Sequence, residues 1–254
     1  MGFLSNLFKG KEAKTSVSEV SIQTQNEMVT SNSVIDMSKS KENLNKVLID
    51  MSKGKKIDMS KHVARVALAM DYSGSMSPLF SNGAVQNVIS RLLPISLKFD
   101  DTGELESWLF SDSSEKLKAV DIDNYKDYVK KVMKKAHMSM GGTSYSPVLK
   151  EIINYYQNVE PSNVPAFVIF ITDGENWDKS ETDKIVKELS NYNMFVQFIG
   201  IGDERFDYLK SLDDMKGRKY DNTGFIAVKD MNCMTDEELY TEILRQYRDW
   251  LNTK

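Results

Sequence analysis

Residues 66–77 read VALAMDYSGSMS: a run of small and branched apolar residues that ends on Asp71, Ser73 and Ser75, three oxygen donors at alternate positions. Hydroxyls and carboxylates are hard ligands, suited to Mg²⁺, Mn²⁺ or Ca²⁺ rather than to zinc. A sharp turn through Gly74 could bring both serines round to the carboxylate. The D-x-S-x-S pattern alone is common in sequences rich in Ser and Asp. Two further stretches carry donors of the same kind. GGTSYSP (141–147) is a Gly-Gly loop that delivers Thr143 just before a helix, and FITDGEN (170–176) ends an apolar run on Asp173.

Positioning such donors requires strands that stop at one rim. From Ala64 onward the chain alternates between buried strands and amphipathic helices. Strands are predicted at 64–71, 104–111, 116–122, 166–174, 194–202 and 224–230. Between them lie helical patterns at 84–99, which Pro94 is expected to kink, and at 125–136, 145–158, 180–192 and 206–215. Thr235 with Glu238 forms a capping box for a terminal helix striped by Leu239, Ile243, Tyr247 and Trp250. Near-continuous apolar strands alternating with helices imply an α/β fold: a doubly wound, mostly parallel sheet with one antiparallel edge strand and helices on both faces. Such sheets bind ligands at the carboxyl ends of strands, which is where Asp71 and Asp173 fall.

In order and placement, Asp71, Ser73, Ser75, Thr143 and Asp173 resemble the five positions of the metal-ion-dependent adhesion site (MIDAS) of von Willebrand factor A (vWA) domains. Residues 62–254 are more closely similar to the vWA domains of bacterial tellurium-resistance (TerF-like) proteins. They share the S-G-S-M start, the N-G-x-V-Q helix entry and the F-D-D-x-G-x-L strand entry (Phe99 to Leu105). The resemblance implies that Ser73 and Ser75 ligate the ion directly, that Thr143 ligates directly or through water, and that Asp71 and Asp173 orient waters. A cation held by neutral ligands attracts one more anionic oxygen, in the family an Asp or Glu carboxylate of a partner protein. It also implies a non-enzymatic interaction module in tellurite or chemical stress resistance. Mg²⁺ is the favoured ion, with Ca²⁺ or Mn²⁺ as alternatives.

The rival reading is a haloacid-dehalogenase-like phosphohydrolase. There Asp71 would be the nucleophile, Thr172 the phosphate-binding hydroxyl, and Asp203 and Asp207 in GDERFD the metal carboxylates. Ser73 stands where that chemistry wants a second aspartate as general acid, and serine cannot protonate a leaving oxygen as a tuned carboxyl can. Around the rim, Tyr72, Phe80, Tyr145 and Trp177 are candidates for an aromatic collar against which a partner packs, or for packing on their own loops.

The N-terminal quarter differs in kind. Residues 1–62 carry a net charge of +3 and the remainder −7, and no Phe, Tyr or Trp occurs between Phe8 and Tyr72. Residues 1–8 (MGFLSNLF) place Phe3, Leu4, Leu7 and Phe8 on one helical face, with Lys9 and Lys11 behind. This tip reads as a weak membrane-surface or partner contact through residues 1–11, or as a frayed end. Asn6 stands where a myristoylation motif wants Ser or Thr. Residues 9–45 read as a flexible linker. IDMSK occurs at 35–39, 49–53 and 57–61; the last two copies flank Gly54 with period-two alternation, predicting a β-hairpin stub over 46–61. That stub resembles the opening strands of a TerD-type calcium-binding domain, without the N-D-N cluster that would complete one.

A net charge of −4 with no long basic run argues against nucleic acid as partner. One cysteine, Cys233, leaves no internal disulfide and suits a reducing compartment. With no apolar run near the roughly 20 residues of a bilayer span and no secretory signal pattern, the expected location is cytoplasmic.

Overall fold

The computed structural model describes residues 36–253. Six strands form one sheet in the order β3-β2-β1-β4-β5-β6, with β1 Arg65–Asp71, β2 Leu105–Phe110, β3 Ser114–Val120, β4 Ala166–Thr172, β5 Met194–Ile201 and β6 Thr223–Val228. All neighbouring pairs are parallel except β2 with β3, the antiparallel edge. The doubly wound sheet expected from the alternation of strands and helices is therefore present. The winding reverses between the adjacent strands β1 and β4, which places a crevice at their carboxyl ends.

Period-two alternation decides which helices each face of the sheet receives. Val66, Leu68 and Met70 point into one core, and Ala67 and Ala69 into the other. The two alanines leave room for Trp108, Phe110, Tyr145 and Phe170, which fill the second core together with α5 (Ser146–Asn154), α6 (Lys179–Leu189) and α7 (Asp207–Asp213). The first core is closed by α3 (Ala84–Phe99) and α8 (Asp236–Asn252); the short α2 (Ser77–Ser81) and α4 (Tyr128–Lys131) lie beside α3. Helix α3 continues through Pro94 to Phe99. The capping box of α8 is formed: Glu238 N donates to Thr235 Oγ1 at 3.2 Å and Thr235 N to Glu238 Oε2 at 2.8 Å.

The region before β1 corrects the sequence reading. Residues 37–52 are an α-helix, α1 (Met37–Ser52), so the linker expected over 9–45 gives way to helix from residue 37, and the hairpin expected over 46–61 is absent. Leu44, Val47, Leu48 and Met51 are spaced for a helix, and they bury against α8 and α3. Aspartate, not strand pairing, explains two of the IDMSK copies. Asp36 Oδ1 accepts from Ser38 N and Lys39 N to cap α1, and Asp58 Oδ1 accepts from Ser60 N to cap a single 3₁₀ turn, Met59–Lys61. Gly54, at φ 68°, turns the chain between them. The expected tip and the remainder of the linker, residues 1–35, lie outside the described residues.

His62 enters β1 beneath α8, its Nε2 2.8 Å from the Tyr247 hydroxyl and its ring edge-on to Phe99. Burial lowers its pKa to about 4. Below pH 6.5 the unfolded chain takes up a proton that the folded one refuses, so this contribution to stability is complete above pH 6.5 and is lost as pH falls towards 4. Allowing for partial exposure, the loss should be about 2 kcal/mol. The urea midpoint in EDTA at pH 7 and pH 4.5 should therefore drop less for His62→Gln than for wild type. Parallel drops would remove His62 as the cause.

Candidate metal centre

Asp71 closes β1 with no exposed surface. Its Oδ1 accepts from Ser73 N at 2.7 Å, which folds the chain back on itself directly after the strand. Its Oδ2 accepts from the hydroxyl of Thr172, the last residue of β4, at 2.6 Å. The turn through Gly74 brings the two serine hydroxyls to 3.0 Å from each other. Ser75 Oγ donates to Asp173 Oδ1 at 2.8 Å, and because its only proton goes there, Ser73 is the donor between the serines. Ser73 is buried and Ser75 is exposed, so the cluster opens to solvent on the Ser75 side.

The loop carrying Thr143 is tied to three neighbours through its backbone. Gly74 N donates to Gly141 O at 3.0 Å, Ser144 N to Ser111 O at 2.8 Å, and Trp177 N to Thr143 O at 2.9 Å. Asp178, from the loop after β4, caps α5 by accepting from Tyr145 N at 3.0 Å and Ser146 N at 2.8 Å. Burial pushes the Asp178 carboxyl up, but donors from Ser146, Asn176 and Tyr145 outweigh it and hold the group below the usual range. Tyr145 completes the bracing, donating from its hydroxyl to Gly174 O at 2.5 Å. The structure thus joins Asp71 to Ser73 through the Ser73 backbone N–H, and Ser73, Ser75 and Asp173 to one another through their side chains, while Thr172 holds the other oxygen of Asp71. Thr143, 7% exposed, is connected to them through backbone, and among the described residues its hydroxyl bonds none of the four.

The electrostatics favour a cation. Burial pushes the Asp71 carboxyl up to about 6, against the pull of the Thr172 and Ser73 donors, and Asp173 adds repulsion. Asp173 is also raised, by burial first, with Glu204 contributing. The 3.0 Å between the serine hydroxyls and the 2.8 Å from Ser75 Oγ to Asp173 Oδ1 are ordinary hydrogen-bond lengths, so the three side chains converge on one point of the rim. The donor set is hydroxyl-rich; among the described residues no three His, Cys, Asp or Glu side chains gather as a metal-binding group.

The same placements count against the phosphohydrolase. Asp203 pairs with Lys229 at 3.1 Å, and Asp207 with Arg205 at 3.2 Å. Both aspartates are exposed and join no metal-binding group with Asp71, whose two oxygens are already engaged and out of reach of solvent. The aromatic collar also needs correction. Phe80 and Tyr145 are core residues, and Tyr72 is half-buried edge-on to Phe80; only Trp177 stands open. Cys233 donates to Asp230 Oδ2 at 3.5 Å, and that bond pushes its thiol pKa up despite the nearby start of α8. A cavity of about 190 Å³ on the α3 side is floored by Met70, Val85, Val88 and Ile201, and none of the five site residues lines it.

Sequence reasoning named the five candidate residues but not the bracing around them. Asp112, whose Oδ2 accepts from Gly142 N at 2.9 Å, and Asp178 act on loops about 30 residues away in the chain, beyond any local pattern.

Comparison with known proteins shows the family and the fold. The family model for the vWA domain found in the TerF C-terminus, vWA-TerF-like, matches residues 63–254. The uncharacterized protein YcbR of Bacillus subtilis (strain 168) is 37% identical over 198 residues, covering 77% of this chain and 81% of that protein. Among solved structures, the SpRpn10 VWA domain aligns with a TM-score of 0.54 at 11% identity, over 70% of this chain and 93% of that one. Manganese-loaded Plasmodium vivax TRAP protein gives 0.53 at 18% identity, over 74% of each chain. Proximal thread matrix protein 1 of the mussel byssus, with a zinc-occupied MIDAS motif, gives 0.50 at 16% identity, over 74% of this chain; this chain spans under half, 46%, of that one. At these identities the structural likeness is one of fold. The sequence match is far closer and extends from just before β1 to the end of the chain: the protein belongs to the vWA-TerF-like family.

Proposed function

We propose that the rim formed by Asp71, Ser73, Ser75, Thr143 and Asp173 holds a divalent cation, Mg²⁺ in preference to Mn²⁺ or Ca²⁺, and that the domain uses it to dock an Asp or Glu carboxylate of a partner protein. The observation that carries this reading is the buried, unneutralised carboxylate of Asp71 beneath two serine hydroxyls and Asp173 that converge on one open point of the rim. Ser73 and Ser75 would present lone pairs to the ion, Thr143 would approach from its braced loop, and Asp71 and Asp173 would supply charge and orient waters. The ion, when bound, supplies a positive charge that direct neutral ligands leave incompletely offset, so an external carboxylate completes it. No side chain at the rim is set up as nucleophile or general base, which favours binding over catalysis. Zinc in the mussel protein's MIDAS motif and manganese in the TRAP protein support divalent binding by this fold. A role in tellurite or chemical stress resistance rests on the family likeness alone, and the cytoplasmic location rests on the sequence expectation stated above.

The test uses the full chain immobilised in a lysate of its own cells, with Mg²⁺ or with EDTA. Proteins retained in Mg²⁺ should be lost in EDTA and lost again on Ser73→Ala/Ser75→Ala. Retention indifferent to both chelator and variant would remove the docking role.

A further inference from the structure

Trp177 is 82% exposed, the most open of the large apolar side chains among the described residues, while Trp108 and Trp250 are in the core. It is nonetheless held in place. Its backbone N–H donates to Thr143 O at 2.9 Å, and its neighbour Asn176 is buried, with Nδ2 bonded to Asp178 at 2.6 Å and to Thr182 at 3.0 Å. The edge of the indole lies on Gly142. A methyl built there would meet Trp177 Nε1 at 3.1 Å and Asp112 Oδ1 at 2.6 Å. An indole and a carboxylate thus share one glycine, directly beside the Thr143 ligand position.

We propose that Trp177 and Asp112 form a subsite for a cationic side chain, arginine in preference to lysine, so that the partner carries a basic residue close to the carboxylate it gives to the metal. This rests on the docking reading above. An indole face attracts a cation by its quadrupole, and a guanidinium can stack on it while bonding a carboxylate at its edge. Asp112 spends Oδ2 on Gly142 N and has no ion pair among the described residues.

Charge around the rim points the same way. Glu175 is neutralised by Lys179 at 2.6 Å and Asp203 by Lys229 at 3.1 Å, but Asp112, Asp173 and Glu204 have no ion pair among the described residues. Residues 63–254 carry a net charge of −7. A wholly acidic segment would be repelled by this surface, and a carboxylate with a base nearby would be drawn to it.

The experiment is selection of random dodecapeptides displayed on phage against the full chain in Mg²⁺, with elution by EDTA, on wild type and on Trp177→Ala/Asp112→Asn. Both changes are on exposed side chains, and Asp112→Asn retains an acceptor oxygen for Gly142 N; equal urea midpoints would verify the fold. Eluted wild-type clones should carry an acidic residue, with Arg or Lys enriched about threefold within a few positions of it. On the double variant the acidic residue should persist and the basic enrichment should vanish. The best peptide should lose affinity about threefold on Arg→Ala with wild type and not with the variant, which makes a double-mutant cycle. Acidic clones with no basic excess, or with the same excess on both proteins, would overturn the subsite and leave metal docking intact. No EDTA-eluted clones at all would overturn metal docking, and the subsite with it.

Discussion

Replacing Asp71 by Asn should stabilise the metal-free protein at pH 7 and abolish its stabilisation by Mg²⁺. The carboxylate is fully buried with a pKa raised to about 6, against 3.8 for the ordinary group. The folded state therefore holds this proton more tightly than the unfolded one. The contribution is favourable below about pH 4 and is lost as pH rises through 6. At pH 7 the ionised group costs at most about 3 kcal/mol. Asparagine keeps an acceptor for Ser73 N, but its amide must donate to Thr172 Oγ1, and the Thr172 proton must turn towards Gly174 O, 3.4 Å away. That rearrangement returns part of the gain, leaving about 1–2 kcal/mol. Urea midpoints in EDTA at pH 7 should rise in the variant; added Mg²⁺ should raise wild type and leave the variant unmoved. Equal midpoints in EDTA together with equal responses to Mg²⁺ would show that Asp71 is not kept charged for a cation.

A larger loss should follow from Asp236→Ala. Arg91 is 5% exposed in the middle of α3, and its Nε donates to Asp236 Oδ1 at 2.7 Å. Its other nitrogens donate to Met231 O and, at 2.8 Å, to Met234 O. Asp236 Oδ2 also accepts from Ser40 Oγ of α1 at 2.6 Å. One carboxylate thus pins the start of α8 to α3 and to α1, and it sits in the first turn of α8, where negative charge is favoured. Removing it strands a buried guanidinium, at a cost of about 3–5 kcal/mol. Ser40→Ala should cost about 1 kcal/mol, since one charge-assisted bond from α1 is lost. Arg91→Met/Asp236→Leu should recover much of the loss, because neither charge is then left buried. A fall below about 1 kcal/mol for Asp236→Ala would mean that water reaches Arg91.

Those contacts also show why the region before β1 departs from its sequence reading. The IDMSK phrase alternates over too few residues to separate strand from helix, and the decisive signal is the longer spacing of Leu44, Val47, Leu48 and Met51. What α1 packs on, α8, lies some 200 residues later in the chain, so the identity of its partner has no local trace. The sheet is legible because β4 and β5 are buried along their whole length and read as apolar runs. The candidate site residues are legible because four of them lie at or just beyond a strand end and Thr143 follows a Gly-Gly pair shortly before a helix. Tyr145 and Phe80 are not: an aromatic at the rim looks alike whether it faces a partner or the core, and Tyr145 fills the space left by Ala67 and Ala69 while Phe80 packs in the core on the other face.

The most direct measurement is calorimetric titration of MgCl₂ into the full chain and into Ser73→Ala/Ser75→Ala. Wild type should give a saturable heat with one ion per chain. The variant, with an unchanged urea midpoint in EDTA, should give only the heat of dilution. Matching heats from the two proteins, or no heat from wild type, would contradict a cation held by the serine hydroxyls.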